Sequence, residues 1–211
     1  MINIVTEDII KKYNINKFIE TGVFQGDTLM IMQHIFCKLY GDEFNVGVQS
    51  KGTRGKYRLY EVEYHQKYID QFLPIKVQNH INVEVACANS AEWLKTKIDT
   101  NEFTISDNCL FYLDAHDHQT ANPKPLREEV TQVLRLQNKP IICIDDWQTP
   151  FHQDQYCLDM VRDLIKGRTD ATYITSKHNF HGQYSVFIFV DRNSVELKDT
   201  LKDLKLIKEM V

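Results

Sequence analysis

The stretch Cys109-Leu-Phe-Tyr-Leu-Asp-Ala-His-Asp-His118 decides how the rest of the chain is read. Cys109 to Leu113 form an unbroken, mostly apolar run, as in a central parallel strand covered by helices on both faces. Asp114, His116, Asp117 and His118 follow at once, and such a strand has no room for four ionisable groups inside. They therefore belong at its carboxyl end, the edge at which open α/β sheets bind ligands.

Working outward gives alternating elements. Thr6 is placed to cap a short helix over Glu7–Tyr13. Lys17-Phe-Ile-Glu-Thr-Gly-Val-Phe-Gln-Gly-Asp-Thr reads as strand, tight turn and helix start, with Gly22 and Gly26 free to take positive φ. Asp27 or Thr28 then caps a helix through Tyr40. Residues 41–56 hold four glycines and no period, and are expected to be a flexible insertion. Tyr57–Val62 predicts a second strand ending at Glu63, followed by a helix from His65 that Pro74 should stop. Ile81–Ala88 is the third strand, with Asn89-Ser90 as a helix cap. Past the organising strand, a polar loop to Pro125 leads to a helix over Leu126–Leu136. Lys139-Pro-Ile-Ile-Cys-Ile-Asp-Asp-Trp is a fifth strand ending in acids, and residues 154–166 are amphipathic. Ala171–Ser176 and Tyr184–Val190 suit a hairpin, and Ser194–Met210 a closing helix. Five strand-helix units followed by two adjacent strands predict a single doubly wound α/β domain over 1–211, its sheet mostly parallel with an antiparallel pair at one edge.

Composition narrows the function classes. Hydrophobic residues make up 43% and charged residues 26% of the 211, an ordinary globular mixture. A formal charge of -4 argues against a broad nucleic-acid footprint. The basic run Lys51–Arg58 reads as a solvated loop. No apolar run approaches the ~20 residues that span a bilayer, and the amino terminus lacks the basic and apolar regions of a signal peptide. Cys37, Cys87, Cys109, Cys143 and Cys157 show no Cys-x-x-Cys spacing, and Cys87, Cys109 and Cys143 lie in strand-like runs, as core thiols of a reducing compartment. A cytoplasmic protein is expected.

Several strand ends carry candidate chemistry. Glu20-Thr-Gly-x-x-x-Gly lacks the middle glycine of the dinucleotide fingerprint, and Glu20 would repel a pyrophosphate. A cationic ligand suits it better, and S-adenosylmethionine carries a sulfonium and an ammonium group. Glu63 is placed to accept ribose hydroxyls, with Glu61 two residues earlier on the same face. Asn89-Ser90 either binds an adenine edge or only caps its helix. Asp114, Asp145 and Asp146, from two strands, suit a hard divalent cation such as Mg²⁺; the alternative is that Asp145 caps a helix and Asp114 pairs with a base. His116 is the best-placed proton acceptor. With His118, Asp114 and Asp117 it could instead hold Zn²⁺ or Fe²⁺.

Taken in order, Phe18-Ile-Glu-Thr-Gly-Val-Phe-Gln-Gly-Asp-Thr, Tyr60-Glu-Val-Glu, Ala88-Asn-Ser-Ala-Glu-Trp-Leu, Phe111-Tyr-Leu-Asp-Ala-His and Ile144-Asp-Asp-Trp resemble the class I S-adenosylmethionine-dependent methyltransferases. Over residues 17–190 the chain looks most like the metal-dependent O-methyltransferases of the macrocin type, which act on sugars. The resemblance implies a seven-stranded Rossmann-like sheet with its last strand antiparallel. It implies that Glu20, Thr21, Gly22 and Gly26 hold the methionine portion, Glu63 the ribose, and Asn89 and Ser90 the adenine side. Asp114 would lie beside the cofactor and ligate Mg²⁺ with Asp145 and Asp146; apart from the resemblance, Asp114 or His116 could accept the acceptor's proton. The acceptor implied is a small hydroxylated molecule, a sugar or diol. Two departures stand out: the glycine turn is sparse, and Asn89 replaces a commoner acid. A metal-dependent hydrolase built on Asp114, His116 and His118, or a non-catalytic binding protein on the same scaffold, are the competing expectations. No nucleic acid or membrane partner is expected, and the closing helix leaves a homo-oligomer open.

Overall fold

The computed structural model describes residues 7–41, 56–77, 82–115, 125–148, 155–177 and 184–191. The closing helix, most of the 41–56 insertion and residues 116–124 lie outside them. Elements follow in the order α1 (Glu7–Lys12), β1 (Lys17–Thr21), α2 (Asp27–Tyr40), β2 (Arg58–Glu63), α3 (Gln66–Val77), β3 (Val83–Cys87), α4 (Ser90–Asp99), β4 (Cys109–Leu113), α5 (Leu126–Val133), β5 (Ile141–Gln148), α6 (Gln155–Ile165), β6 (Ala171–Lys177) and β7 (Tyr184–Val190). The seven strands form one sheet in the order β3-β2-β1-β4-β5-β7-β6. Pairs among the first five strands are parallel, and β7 runs antiparallel to both β5 and β6.

β4 is the central strand that its sequence demands, with all five residues buried. Its side chains divide between two cores. Leu110 and Tyr112 join Phe18, Leu59, Ile141 and Phe187 under α1 and α2. Cys109, Phe111 and Leu113 join Ile19, Tyr60, Ile142 and Val186 under α4, α5 and α6. Each such aliphatic or aromatic side chain contributes about 1.5–3 kcal/mol on burial, so the two-sided cover holds the middle of the sheet rigid.

The structure corrects four details. Pro74 lies inside α3, which continues to Val77; proline has a helical φ and costs one backbone bond, so it penalises a helix without ending it. The α2 N-cap is Gly26, with φ 69° and no side-chain cap, in place of Asp27 or Thr28. Helix α5 ends at Val133, with Leu134 to Leu136 in a turn. Cys87 is exposed, whereas Cys37, Cys109 and Cys143 are buried free thiols. Among the described residues, no helix is long and apolar enough to cross a membrane.

Gly22 joins β1 to the end of β4. Its φ is +79°, and a Cβ there would come within 3.0 Å of Asp114 O, Asp114 C and Ala115 Cα. All three are backbone atoms that cannot rotate away. Gly22→Ala should therefore lower stability by roughly 2–5 kcal/mol, combining left-handed strain with overpacking, as read from the urea midpoint; an unchanged midpoint would mean that the two strand ends are free to separate.

Candidate functional site

The chain runs β1 to β2 to β3 in one direction, then returns to place β4 on the other side of β1. This reversal is the switch point at which the crevice of an open α/β sheet forms. A cleft of about 270 Å³ lies there, lined by Gly22 after β1, Val62 to His65 at β2, Ala88 to Ser90 after β3, Ala115 after β4, and Pro125. Four predicted site residues, Gly22, Glu63, Asn89 and Ser90, thus share one wall. Among the described residues, no lysine or arginine lines the cleft.

The turn after β1 recovers by conformation what it lacks in glycine. Gly22, Phe24 and Gly26 all have positive φ, 79°, 47° and 69°. Phe24 is strained there by the close approach of its Cβ to the backbone. Its amide donates to Glu63 Oε2 at 3.0 Å, and its ring meets Tyr68 edge-on at 4.9 Å. Glu63 Oε1 accepts from the His65 amide at 2.9 Å. One buried carboxylate so ties the β1 turn to the β2 turn, and each oxygen keeps a further acceptor site.

Asn89 does cap α4: its side-chain carbonyl accepts from the Glu92 amide at 3.1 Å. It is exposed and lines the cleft, so both roles assigned to it from sequence are open to one side chain. Ser90 is buried beside it.

Strand register collects the remaining acids on one face. Glu20 pairs with Glu61 on one side and Tyr112 on the other, and Tyr112 pairs with Cys143. Two residues further along each strand come Glu63, Gly22, Asp114 and Asp145, side by side. Glu20 does not line the cleft; it is buried against Glu61 beneath the turn. Burial first, then repulsion from Glu61, drives the Glu20 carboxyl well above the usual range, and Thr28 at the start of α2 opposes this. Burial pushes Glu61 up to about 8, partly offset by its hydrogen bond to Glu20. A buried lone carboxylate costs several kcal/mol, so burial favours the protonated form of both acids. Thr21 turns to the opposite face, towards α5.

Asp145 is buried between two hydroxyls. Tyr112 Oη donates to its Oδ2, and Ser185 Oγ donates to its Oδ1 at 2.8 Å. It neither caps a helix nor stands alone. Asp114 follows the Leu113–Ile144 pair and is therefore its cross-strand neighbour. Burial and then the two acids together raise the Tyr112 hydroxyl and the Cys143 thiol well above their ordinary values. Pairing of β5 with β7 is interrupted between Ile144 and Gln148, where Asp145 and Asp146 sit; such irregularities often re-aim side chains at sites. The Asp146 side chain lies outside the described residues, as do His116, Asp117 and His118. Among the described residues no three His, Cys, Asp or Glu side chains close around an ion.

Sequence reasoning missed Ser185, Tyr112 and Glu129. The first two are joined to Asp145 only by strand pairing. Glu129 was detectable: Leu126, Glu129, Val130 and Val133 follow the i, i+3, i+4, i+7 spacing of one helix face, so an acid occupies an apolar position.

No protein-family profile matches the chain, and no curated protein sequence does either. Solved structures do match. The O-methyltransferase TomG from Streptomyces achromogenes, in complex with SAM, is 14% identical with a TM-score of 0.59, over 88% of this chain and 78% of that one. An O-methyltransferase from Bacillus cereus in complex with SAH is 13% identical with a TM-score of 0.60, over 87% and 78%. Human methyltransferase-like protein 13, also in complex with SAH, is 11% identical with a TM-score of 0.58, over 96% and 86%. The fold is that of these methyltransferases, as the order of strand ends implied.

The acid pair yields a pH prediction. A carboxyl whose folded pKa lies above its unfolded value of 4.5 contributes stability at low pH that is lost as pH rises through the folded pKa. Glu61→Gln should accordingly match the parent near pH 4 and exceed its stability by on the order of 2 kcal/mol at pH 9, measured by urea denaturation across that range. A gap that does not widen between pH 4.5 and 8 would mean that the two acids are not competing for a proton.

Proposed function

We propose that this protein is an S-adenosylmethionine-dependent O-methyltransferase acting on a small hydroxylated acceptor. The observation that carries the reading is the cleft at the switch point, lined by Gly22, Glu63, Asn89 and Ser90. Its residues fit the ligand. Glu63 keeps one acceptor site per oxygen for a pair of ribose hydroxyls, Asn89 and Ser90 offer polar groups to a purine edge, and Gly22 leaves the backbone open to close approach. Among the described residues the wall holds no lysine or arginine to meet a dinucleotide pyrophosphate, while the acid-rich edge favours a cationic ligand. When bound, S-adenosylmethionine supplies an electrophilic methyl group on sulfur, so the protein's main task is alignment of the acceptor hydroxyl behind it. Asp114, which follows the central strand, or His116 two residues on, would accept that hydroxyl's proton.

The finer part of the proposal is Mg²⁺ held by Asp114, Asp145 and Asp146. Support comes from the cross-strand neighbours Asp114 and Asp145 and from the fit of hard oxygen ligands to that ion. A cation there would fix a diol acceptor and lower the pKa of its attacking hydroxyl. Tyr112 and Ser185 then orient Asp145. The hydrolase reading assigns no role to a cleft shaped around Glu63 and Asn89, and is set aside.

Calorimetry with S-adenosylhomocysteine tests the core of this. At a hundredfold excess over Kd the ligand should stabilise the fold by about 2.7 kcal/mol, a Tm rise of roughly 5–10 °C at this size, with no response to NAD. Loss of the Glu63 carboxylate in Glu63→Ala should weaken binding about 10–100-fold. Absence of binding by the parent protein would overturn the assignment. For the metal, Asp145→Ala should lose turnover of a diol acceptor while still binding S-adenosylhomocysteine; full activity in that variant, or in excess chelator, would remove Mg²⁺ from the scheme.

A further inference from the structure

Behind the cleft wall lies a carboxyl group that neither the ligand contacts nor the proton transfer proposed above employs. Glu129 sits one turn into α5, its amide bonded at 3.0 Å to the carbonyl of Pro125, a cleft-lining residue. It is 0% exposed, and both of its oxygens are fully buried. The hydroxyls of Ser90, from α4, and Thr21, from β1, approach it short of full hydrogen-bond geometry, and Thr21 Oγ1 is itself buried without a partner among the described residues. No charged side chain of the described residues acts on it. Its neighbours on α5, Arg127 and Glu128, are exposed, and Arg127 pairs with Asp163. Burying an acid in an otherwise apolar helix face costs more than any surface position would, and here it faces two hydroxyls, one of which lines the cleft.

We infer that Glu129 is a positioning residue that sets whether the Ser90 hydroxyl presents a hydrogen or a lone pair to the ligand. When Glu129 is ionised it can only accept, so Ser90 and Thr21 turn their hydrogens towards it. Ser90 then offers its lone pairs to the cleft, where the exocyclic amine of an adenine can donate. With Glu129 protonated, its single O–H donates to one of the two hydroxyls; given to Ser90, it releases the Ser90 hydrogen outward, against that amine. Burial places the changeover near neutrality: it pushes Glu129 up to about 7, with Ser90 and Thr21 drawing it down. The inference rests on the S-adenosylmethionine reading of the cleft, and its test separates the two.

Affinity for S-adenosylhomocysteine, measured by calorimetry from pH 5.5 to 8.5, should tighten on the order of fivefold as pH rises in the parent protein, the worth of one neutral hydrogen bond. In Glu129→Gln the affinity should lie within that range and lose most of its pH dependence. Without ligand, the raised folded pKa means that Glu129 lowers stability progressively between about pH 4.5 and 7. Glu129→Gln should therefore gain on the parent over that interval in urea melts. Failure of the parent to bind at any pH overturns the cofactor reading and this inference with it. A pH-independent affinity in the parent, or an equal pH slope in Glu129→Gln, overturns the positioning role alone.

Discussion

Charge taken out of water is the constraint around which this molecule is arranged. At the carboxyl edge of its sheet, Glu20, Glu61, Glu63 and Asp145 are all buried, and the sheet register stacks them on one face with Asp114. Each would cost more than a buried leucine contributes unless something compensates it. The compensation differs from one acid to the next. Glu63 takes two backbone amides, Asp145 takes two hydroxyls, and burial favours the neutral forms of Glu20 and Glu61. These four acids are thus buried at the edge that carries the switch-point cleft.

The same constraint accounts for the backbone around the cleft. Each oxygen of the buried Glu63 carboxyl accepts from an amide, and the amides come from the two turns that flank it. Phe24 accepts a left-handed conformation in the process, and Gly22 lets that turn rest directly against the end of β4. The β1 turn, the β2 turn and the end of the central strand are thereby fixed relative to each other before any ligand arrives. Such preorganisation is what an alignment-driven reaction requires.

How much was legible beforehand depends on the range of the interaction. The β4 run, the alternation of elements and the last hairpin are local patterns, and each matched the structure to within a few residues. Gly22, Glu63, Asn89 and Ser90 were legible as strand-end positions because parallel topology brings such ends to one edge. Pro74 and the α2 cap were misread because a helix tolerates a proline or an uncapped start when its other contacts hold it. Glu129 broke a helical pattern that could be read directly, whereas Ser185 carried no signal at all.

The amino-acid sequence by itself determined the sheet, its direction, its two-sided cover and the edge where chemistry gathers, since hydrophobic period and strand alternation act over a few residues. Only the tertiary structure decided what each acid does there. Pairing Glu20 with Glu61, wedging Asp145 between Tyr112 and Ser185, and setting Glu129 behind Ser90 all depend on register between strands and helices far apart in the chain. A shift of one residue in the strand register would turn Glu20, Glu61, Tyr112, Asp145 or Ser185 to the other face.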